Sequence, residues 1–174
     1  MKTSCRQAQA RRRVAAAFVV IASMMSGHVQ AIEPGQPAPA LTLPARNGDS
    51  VAVPDGRARL TYVDFWASWC GPCRQSFPWL NTMQARYAAK GLRIVGVNLD
   101  AKPADAERFL GEVPAQFEIV LDPKGSSARS WALKGMPSAA LLGADGRVIA
   151  VHQGFRAGDG EALENLIKTH LNTP

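Results

Sequence analysis

The sequence predicts an α/β fold in which helices cover both faces of a mixed central β-sheet. Apolar stretches of strand length alternate along the chain with stretches of helical length, which is typical of a sheet with helical crossovers. The last two strands are instead joined by a short turn, so they run antiparallel, whereas strands joined through helices run parallel. These observations together indicate a sheet with both kinds of pairing.

The first 31 residues have the features of a secretory signal peptide. Five basic residues without an acid precede an apolar run at residues 14–25, and Val29-Gln30-Ala31 supplies small residues for a cleavage site. The apolar run has about a dozen residues, whereas a membrane-spanning helix needs roughly 17–25. We therefore expect cleavage after Ala31, export to a bacterial periplasm, and a mature domain of residues 32–174 without a spanning helix. An uncleaved N-terminal membrane anchor is the alternative.

The net charge of +6 is concentrated in this leader. Removing its five basic residues from the total of 20 leaves 15 Lys and Arg against 14 Asp and Glu, a net charge of +1. The leader therefore accounts for the imbalance, and we expect no nucleic-acid partner. Cleavage also removes Cys5, so the mature chain keeps only Cys70 and Cys73 of the three cysteines.

The mature domain begins with an extended lead-in at residues 32–39, which is rich in proline and glycine. Residues 41–43 and 51–53 alternate in polarity around Asn47-Gly48, which predicts a two-stranded hairpin. Residues 59–67 are nearly continuous in apolar side chains, as is typical of a central strand buried on both faces.

The first helix is expected to start near Pro72, because proline is favoured at the first helical position. It continues to about Ala89, ends before Gly91 and contains Pro78, which should kink it. The next apolar strand covers residues 92–99. The rest of the sequence predicts helices at residues 102–111, 126–133 and 158–171. It predicts strands at residues 117–121, 138–142 and 148–152.

Two cysteines three residues apart, Cys70 and Cys73, lie between the central strand and the first helix. A helix N-terminus favours an anion, so we expect Cys70 to be an exposed, acidic thiolate and the nucleophile of disulfide exchange. Cys73, one turn into the helix, is expected to be buried and to resolve the mixed disulfide. Gly71 and Pro72 keep the turn tight and leave little side chain over Cys70.

A structural disulfide and half of a metal site are the alternatives for this pair. A bridge across so short a loop removes little entropy from the unfolded chain, which argues against a structural role. No His and Cys cluster accompanies the pair, so we expect neither a metal site nor a cofactor.

The stretch at residues 62–74, Tyr-Val-Asp-Phe-Trp-Ala-Ser-Trp-Cys-Gly-Pro-Cys-Arg, resembles the strand, motif and helix signature of the thioredoxin-fold family. Gly135-Met136-Pro137 resembles the cis-proline loop of that family. The leader, Phe77-Pro78 and residues 91–100 are similar to the periplasmic TlpA/ResA-like thiol-disulfide oxidoreductase branch. The resemblance implies a thioredoxin-like three-layer fold with an N-terminal β extension and an inserted helix and strand at about residues 102–121.

The resemblance also implies roles for residues around the cysteines. Trp69, Met136 and Pro137, together with the Gly71-Pro72 dipeptide, are expected to bind the client; core packing of Trp69 and a trans bond before Pro137 are the alternatives.

Many members of the branch have Asn at the position of Asp64 and Glu at that of Ser76. Here we expect buried Asp64, with a raised pKa, to be the proton acceptor for Cys73. An ordinary strand-end acid is the alternative.

The dipeptide between the cysteines favours a reductase. Gly-Pro resembles thioredoxin, whose potential of about −270 mV lies well below the roughly −120 mV of a strong oxidant, a gap of about 7 kcal/mol. The resemblance implies disulfide-containing exported clients, such as apocytochrome c or copper-site assembly proteins, and a membrane electron donor of the DsbD/CcdA kind. A disulfide oxidase or isomerase, and a metal chaperone using both cysteines, are the alternatives.

Overall fold

The computed structural model describes residues 31–172, and the predicted signal peptide lies outside them except for Ala31. The strands are β1 (Leu41–Pro44), β2 (Ser50–Val53), β3 (Leu60–Trp66), β4 (Leu92–Asn98), β5 (Glu118–Leu121), β6 (Ser138–Gly143) and β7 (Val148–Gln153). The helices are α1 (Gly71–Tyr87), α2 (Pro103–Glu112), α3 (Ser126–Ser130) and α4 (Asp159–Asn172). Among the described residues, no helix is long and apolar enough to cross a membrane.

The main sheet has five strands in the order β5-β4-β3-β6-β7. β3 lies at the centre, parallel to β4 and antiparallel to β6, while β5 runs parallel to β4 and β7 antiparallel to β6. Every residue of β3 is buried, as expected for a strand covered on both faces. The predicted mixed, thioredoxin-like sheet is confirmed.

The N-terminal extension is a separate two-stranded sheet in which β1 and β2 pair antiparallel. Gly48 turns the chain between them with a φ of 90°, a conformation that favours glycine. Arg93 of β4 ties the extension to the main sheet, because its guanidinium donates to the Ala52 carbonyl at 3.1 Å and pairs with Asp55 at 3.2 Å and Glu118 at 2.6 Å.

The two faces of β3 belong to two buried clusters, because side chains alternate along a strand. Val63 and Phe65 point toward the N-terminal hairpin and pack with Trp131. Tyr62 and Trp66 point to the opposite face, where they share a cluster with residues of α1, α2 and α4. The second face is the one that carries the cysteines.

The helix and strand predicted at about residues 102–121 are present as α2 and β5. Their aromatic rings join those of β3 and α1. Trp66 lies 4.9 Å from both Phe77 and Phe109, and Phe77 lies 5.2 Å from Phe117, between ring centroids. Glu112 also pairs with exposed Arg74 of α1 at 3.0 Å, so α2 packs against the first turns of α1.

α3 ends earlier than the sequence predicts, at Ser130 rather than residue 133. Trp131 leaves the helical conformation with a ψ of 0°, and Ala132 has a φ of 48°, which no right-handed helix allows. Pro78 lies inside α1, and Gly91 follows that helix and its short 3₁₀ extension with a φ of 101°. These two positions agree with the sequence-based expectation.

Candidate active site

Cys70 and Cys73 form a disulfide at the start of α1, with their Cα atoms 5.3 Å apart. Cys70 is the N-cap of the helix, and its Sγ accepts a hydrogen bond from the Cys73 N–H at 3.3 Å. The first N–H groups of a helix have no partner within the helix and carry partial positive charge. In the reduced protein this position therefore favours a thiolate at Cys70.

The prediction of an exposed Cys70 above a buried Cys73 is half wrong. Cys73 is fully buried, as predicted, but Cys70 is only 5% exposed. The disulfide holds the Cys70 sulfur against the first turn of α1, where both cysteines join the buried cluster on that face of the sheet. The oxidised protein thus shields both sulfur atoms, with Cys70 the more accessible of the two.

Asp64 lies in β3 on the same face as Tyr62 and Trp66, since alternate residues of a strand share a face. That face contains α1 and both cysteines, so the carboxyl group lies within the layer that carries the disulfide. Asp64 is only 2% exposed. The burial that the sequence predicts is confirmed, and its role as proton acceptor stays a prediction.

The Asp64 carboxyl group has few partners for so buried a position. Among the described residues its Oδ2 has no hydrogen-bond partner, and the residues opposite it in the neighbouring strands are Gly96 and Ala139. Burial raises the pKa of Asp64 from 3.8 to about 8. That value is close to the roughly 8.5 of a free cysteine thiol, so proton exchange between the two kinds of group is nearly balanced.

The loop before β6 contains a cis peptide bond between Met136 and Pro137. Pro137 is buried, and half-buried Met136 packs against the cluster that holds both cysteines. The Pro137 carbonyl accepts a hydrogen bond from Gly154 N–H at 2.8 Å, which fixes the loop. Within residues 31–172, the N–H and C=O of Met136 make no hydrogen bond and are available to a bound peptide.

The surface around the cysteines is formed by Trp69, Gly71 and Pro72. Trp69 is 72% exposed and is the only large hydrophobic side chain exposed in the described part of the chain. Core packing, the alternative for this residue, is therefore excluded. Gly71 and Pro72 are exposed, and a Cβ at Gly71 would meet nothing within 4 Å. Gly71 thus leaves open space beside Cys70.

One contribution to this site was not predicted from the sequence. Asp100, two residues beyond β4 and only 4% exposed, accepts hydrogen bonds from the Ser68 backbone N–H at 2.9 Å and the Ser68 hydroxyl at 3.0 Å. The Asn98 side chain donates to the same carboxylate at 2.8 Å. The sequence did contain a signal for this contact: a carboxylate directly after a predicted buried strand, and a serine just before the cysteine motif.

The remaining polar residues near the cysteines do not add a second acid or a metal site. Ser76 is buried and donates its hydroxyl to the Cys73 carbonyl at 3.0 Å. Among residues 31–172 there is no group of three or more His, Cys, Asp or Glu side chains placed to hold a metal ion.

Comparisons with known proteins agree with this geometry. The Redoxin family model matches residues 33–167. The thiol-disulfide oxidoreductase ResA of Bacillus thuringiensis subsp. konkukian is 25% identical over 137 residues, which cover 79% of this chain and 78% of the relative. The thiol:disulfide interchange protein CycY of Rhizobium leguminosarum bv. viciae is 36% identical over 110 residues, 62% of this chain and 54% of the relative.

A similar solved structure comes from Chlorobium tepidum and is described as a thiol:disulfide interchange protein, DsbE. It is 50% identical, with a TM-score of 0.79, and the match covers 82% of this chain and all of that chain. A thioredoxin-domain structure from Bacteroides vulgatus is 27% identical, with a TM-score of 0.73, over 82% of this chain and all of the neighbour. The similarity therefore extends over the whole domain and not only over the cysteine motif.

Proposed function

The chain belongs to the Redoxin family and is a thiol–disulfide oxidoreductase, and we propose that it reduces disulfides in exported client proteins. The observation that carries this proposal is the Cys70–Cys73 disulfide at the N-terminus of α1, with Gly71 and Pro72 between the cysteines. A dithiol at this position is converted to that disulfide when it reduces a client. The Gly-Pro dipeptide supports a thioredoxin-like, reducing potential.

In the first step, the Cys70 thiolate attacks one sulfur of a client disulfide. A bond forms between that sulfur and Cys70 Sγ, the client S–S bond breaks, and the second client sulfur leaves as a thiolate that takes a proton from solvent. The N–H groups at the start of α1 favour the attacking thiolate, because they stabilise negative charge at Cys70.

In the second step, the Asp64 carboxylate accepts the proton of the Cys73 thiol, and the new thiolate attacks Cys70 Sγ. The Cys70–Cys73 bond forms, the mixed disulfide breaks, and the client leaves with both sulfur atoms reduced once its thiolate is protonated. The raised pKa of Asp64, about 8, supports this role because it lies near that of a thiol. Two electrons pass from the protein to the client in each cycle.

We assign client binding to the surface around the disulfide. Exposed Trp69 provides apolar contact area, and Gly71 and Pro72 leave room for a backbone to approach Cys70. Met136 offers an N–H and a C=O without partners in residues 31–172, and buried Pro137 fixes their position. A client in extended conformation pairs with Met136 in the manner of an added β-strand.

We propose that the protein works in the periplasm, after export by the leader at residues 1–31. The composition of that leader supports the location, with an N-terminal membrane anchor as the alternative. In an oxidising compartment the disulfide must be reduced again after each cycle. A membrane dithiol donor of the DsbD/CcdA kind would supply the electrons, and apocytochrome c or copper-site assembly proteins are the proposed clients.

The equilibrium potential of the Cys70–Cys73 couple tests the direction of electron flow. We expect a value near −270 mV and turnover of insulin disulfides in the presence of a dithiol donor. A potential above about −150 mV would contradict the reductase and favour a disulfide oxidase.

Two further measurements test the clients and the remaining alternative. Cys73→Ser should retain periplasmic clients on Cys70 as mixed disulfides, because the resolving thiol is missing; a periplasm that yields none would contradict the client assignment. Copper titration of the reduced protein addresses the metal chaperone. Tight one-to-one binding without insulin turnover would favour that function over the reductase.

A further inference from the structure

We infer that Asp100 is a positioning residue for client binding, because it fixes the backbone of the segment that carries Trp69. The inference deepens the proposed function and rests on it. The segment between β3 and α1 contains Ala67, Ser68 and Trp69, and it has no regular secondary structure of its own. Its position therefore depends on contacts with other parts of the chain.

Two sets of hydrogen bonds hold this segment. The Cys70 N–H donates to the Ala67 carbonyl at 3.1 Å, which closes the turn upon itself. The Ser68 N–H and hydroxyl donate to the Asp100 carboxylate, and this tethers the turn to the end of β4. The Asp100 bonds link Ser68 to the segment that follows β4, next to the Leu99 N–H, which donates to the Trp66 carbonyl at 2.9 Å just before the turn.

The tether matters because Trp69 has little packing of its own. A side chain that is 72% exposed is not held in place by its neighbours, so its backbone determines where the indole lies. Ser68 precedes Trp69 directly, and its backbone N–H is bound by Asp100. Fixing the backbone before a client binds reduces the entropy that is lost on binding, and this improves affinity without a new contact.

The carboxylate suits this task better than a neutral side chain of the same shape. Asp100 Oδ2 accepts from Ser68 N–H at 2.9 Å and from Asn98 Nδ2 at 2.8 Å, while Oδ1 accepts from the Ser68 hydroxyl at 3.0 Å. A carboxamide has one oxygen, and an NH₂ group in place of Oδ1 could donate to the Ser68 hydroxyl but would meet the Ser68 N–H, which Oδ1 also accepts at 3.2 Å. Asp100→Asn therefore removes the negative charge and one of the two bonds to the Ser68 N–H, while it keeps the volume of the side chain.

Asp122 provides a matched control. It is 2% exposed, follows the neighbouring strand β5, and accepts hydrogen bonds from the backbone N–H groups of Ser126 at 3.1 Å and Ser127 at 2.7 Å. Both are thus buried carboxylates that hold a backbone N–H after a parallel strand. Asp122 binds the start of α3 rather than the cysteine turn, so Asp122→Asn reports the loss of stability alone.

The test compares turnover of a protein disulfide, in insulin, with that of a small disulfide, hydroxyethyl disulfide. For Asp100→Asn we expect KM for insulin to rise about tenfold, while kcat/KM for the small disulfide stays within about twofold of wild type. Ser68→Ala keeps the backbone bond and should raise KM for insulin less, and Ser68→Thr should restore wild-type values. Asp122→Asn should leave KM for insulin and kcat/KM for the small disulfide near their wild-type values.

Equal losses for both substrates in Asp100→Asn, or the same KM change in Asp122→Asn, would overturn the positioning role. If Asp100→Asn does not fold, the KM values of Ser68→Ala and Ser68→Thr for insulin test the positioning role instead. Equal KM values in these two variants would overturn that role. Mixed-disulfide formation between insulin and Cys73→Ser measures docking whichever way electrons flow. If the wild-type protein does not reduce insulin but Cys73→Ser still forms a mixed disulfide with it, the proposed reductase function is contradicted. The effect of Asp100→Asn on mixed-disulfide formation would then still test the positioning role.

Discussion

Asp64 lies directly opposite Gly96 in the β3–β4 ladder, and Gly96 has no space for a side chain. A Cβ there would lie 2.8 Å from Ile119 Cδ1, 3.0 Å from Phe117 Cε2 and 3.1 Å from Trp66 Nε1. The strand beside Asp64 therefore offers no side-chain partner to its carboxyl group. The raised pKa of Asp64 follows from this arrangement, because desolvation is not offset by a cation or a donor.

Gly96→Ala should destabilise the protein, because the added methyl group meets three buried neighbours. We expect a loss of about 2 kcal/mol in the free energy of unfolding, measured by urea denaturation. Gly111→Ala is the control: Gly111 lies in α2, and a Cβ there would meet nothing within 4 Å. That variant should gain up to about 1 kcal/mol. A Gly96→Ala variant as stable as wild type would contradict the close packing beside Asp64.

Asp64→Asn should make stability less dependent on pH. The folded-state pKa of Asp64 is raised from 3.8 to about 8, so between these values the folded protein binds more protons than the unfolded chain. Wild-type stability therefore falls as pH rises through this window, by at most about 6 kcal/mol. The gain of the variant over wild type should be largest near pH 8 and smallest near pH 4, in urea titrations of the oxidised forms.

Asp64→Asn should also slow the resolving step, since Cys73 loses its proton acceptor. We expect about a hundredfold fall in the rate at which Cys73 displaces a client from the mixed disulfide at pH 7, a typical effect of losing a general base. Stopped-flow measurement of that step across pH, with titration of both thiols, checks the prediction. Rates and thiol pKa values equal to those of wild type would reject the role of Asp64.

Trp69→Ala should separate client binding from stability. The indole is 72% exposed, so its removal should change the free energy of unfolding by no more than about 0.5 kcal/mol. We expect KM for insulin to rise about tenfold, equivalent to about 1.4 kcal/mol, with little change for hydroxyethyl disulfide. Trp69→Phe keeps an apolar ring, so its KM for insulin should lie between those of wild type and Trp69→Ala. Unchanged insulin kinetics in Trp69→Ala would remove Trp69 from the docking surface.

Much of the fold could be predicted from the sequence because it depends on local patterns. Alternation and continuous apolar runs predicted the strands, and Gly48 and Gly91 lie at turns that require positive φ. The cysteine pair at a helix start and the burial of Asp64 followed from the same patterns, together with the resemblance. The early end of α3 could not be predicted, because the first glycine or proline after Ala132 is Gly135, which marks a later end.

The parts that were missed depend on contacts distant in sequence. Ser68 and Asp100 are 32 residues apart, and only the parallel pairing of β3 with β4 brings them together. The burial of Cys70 in the oxidised protein depends on how the cysteine turn packs against the cluster shared by β3, α1, α2 and α4. Neither relationship has a periodic signal in the sequence.

The α2–β5 element cannot be treated as a detachable decoration of the domain. Phe109 and Phe117 pack edge-to-face against Phe77, which lies in α1 just beyond the cysteines, and Phe109 also contacts Trp66 at the end of β3. Excision of this element would expose two large rings to water and leave the first turns of α1 without lateral support. An attempt to shorten the chain to a minimal redox domain would therefore need to redesign that aromatic interface together with the deletion.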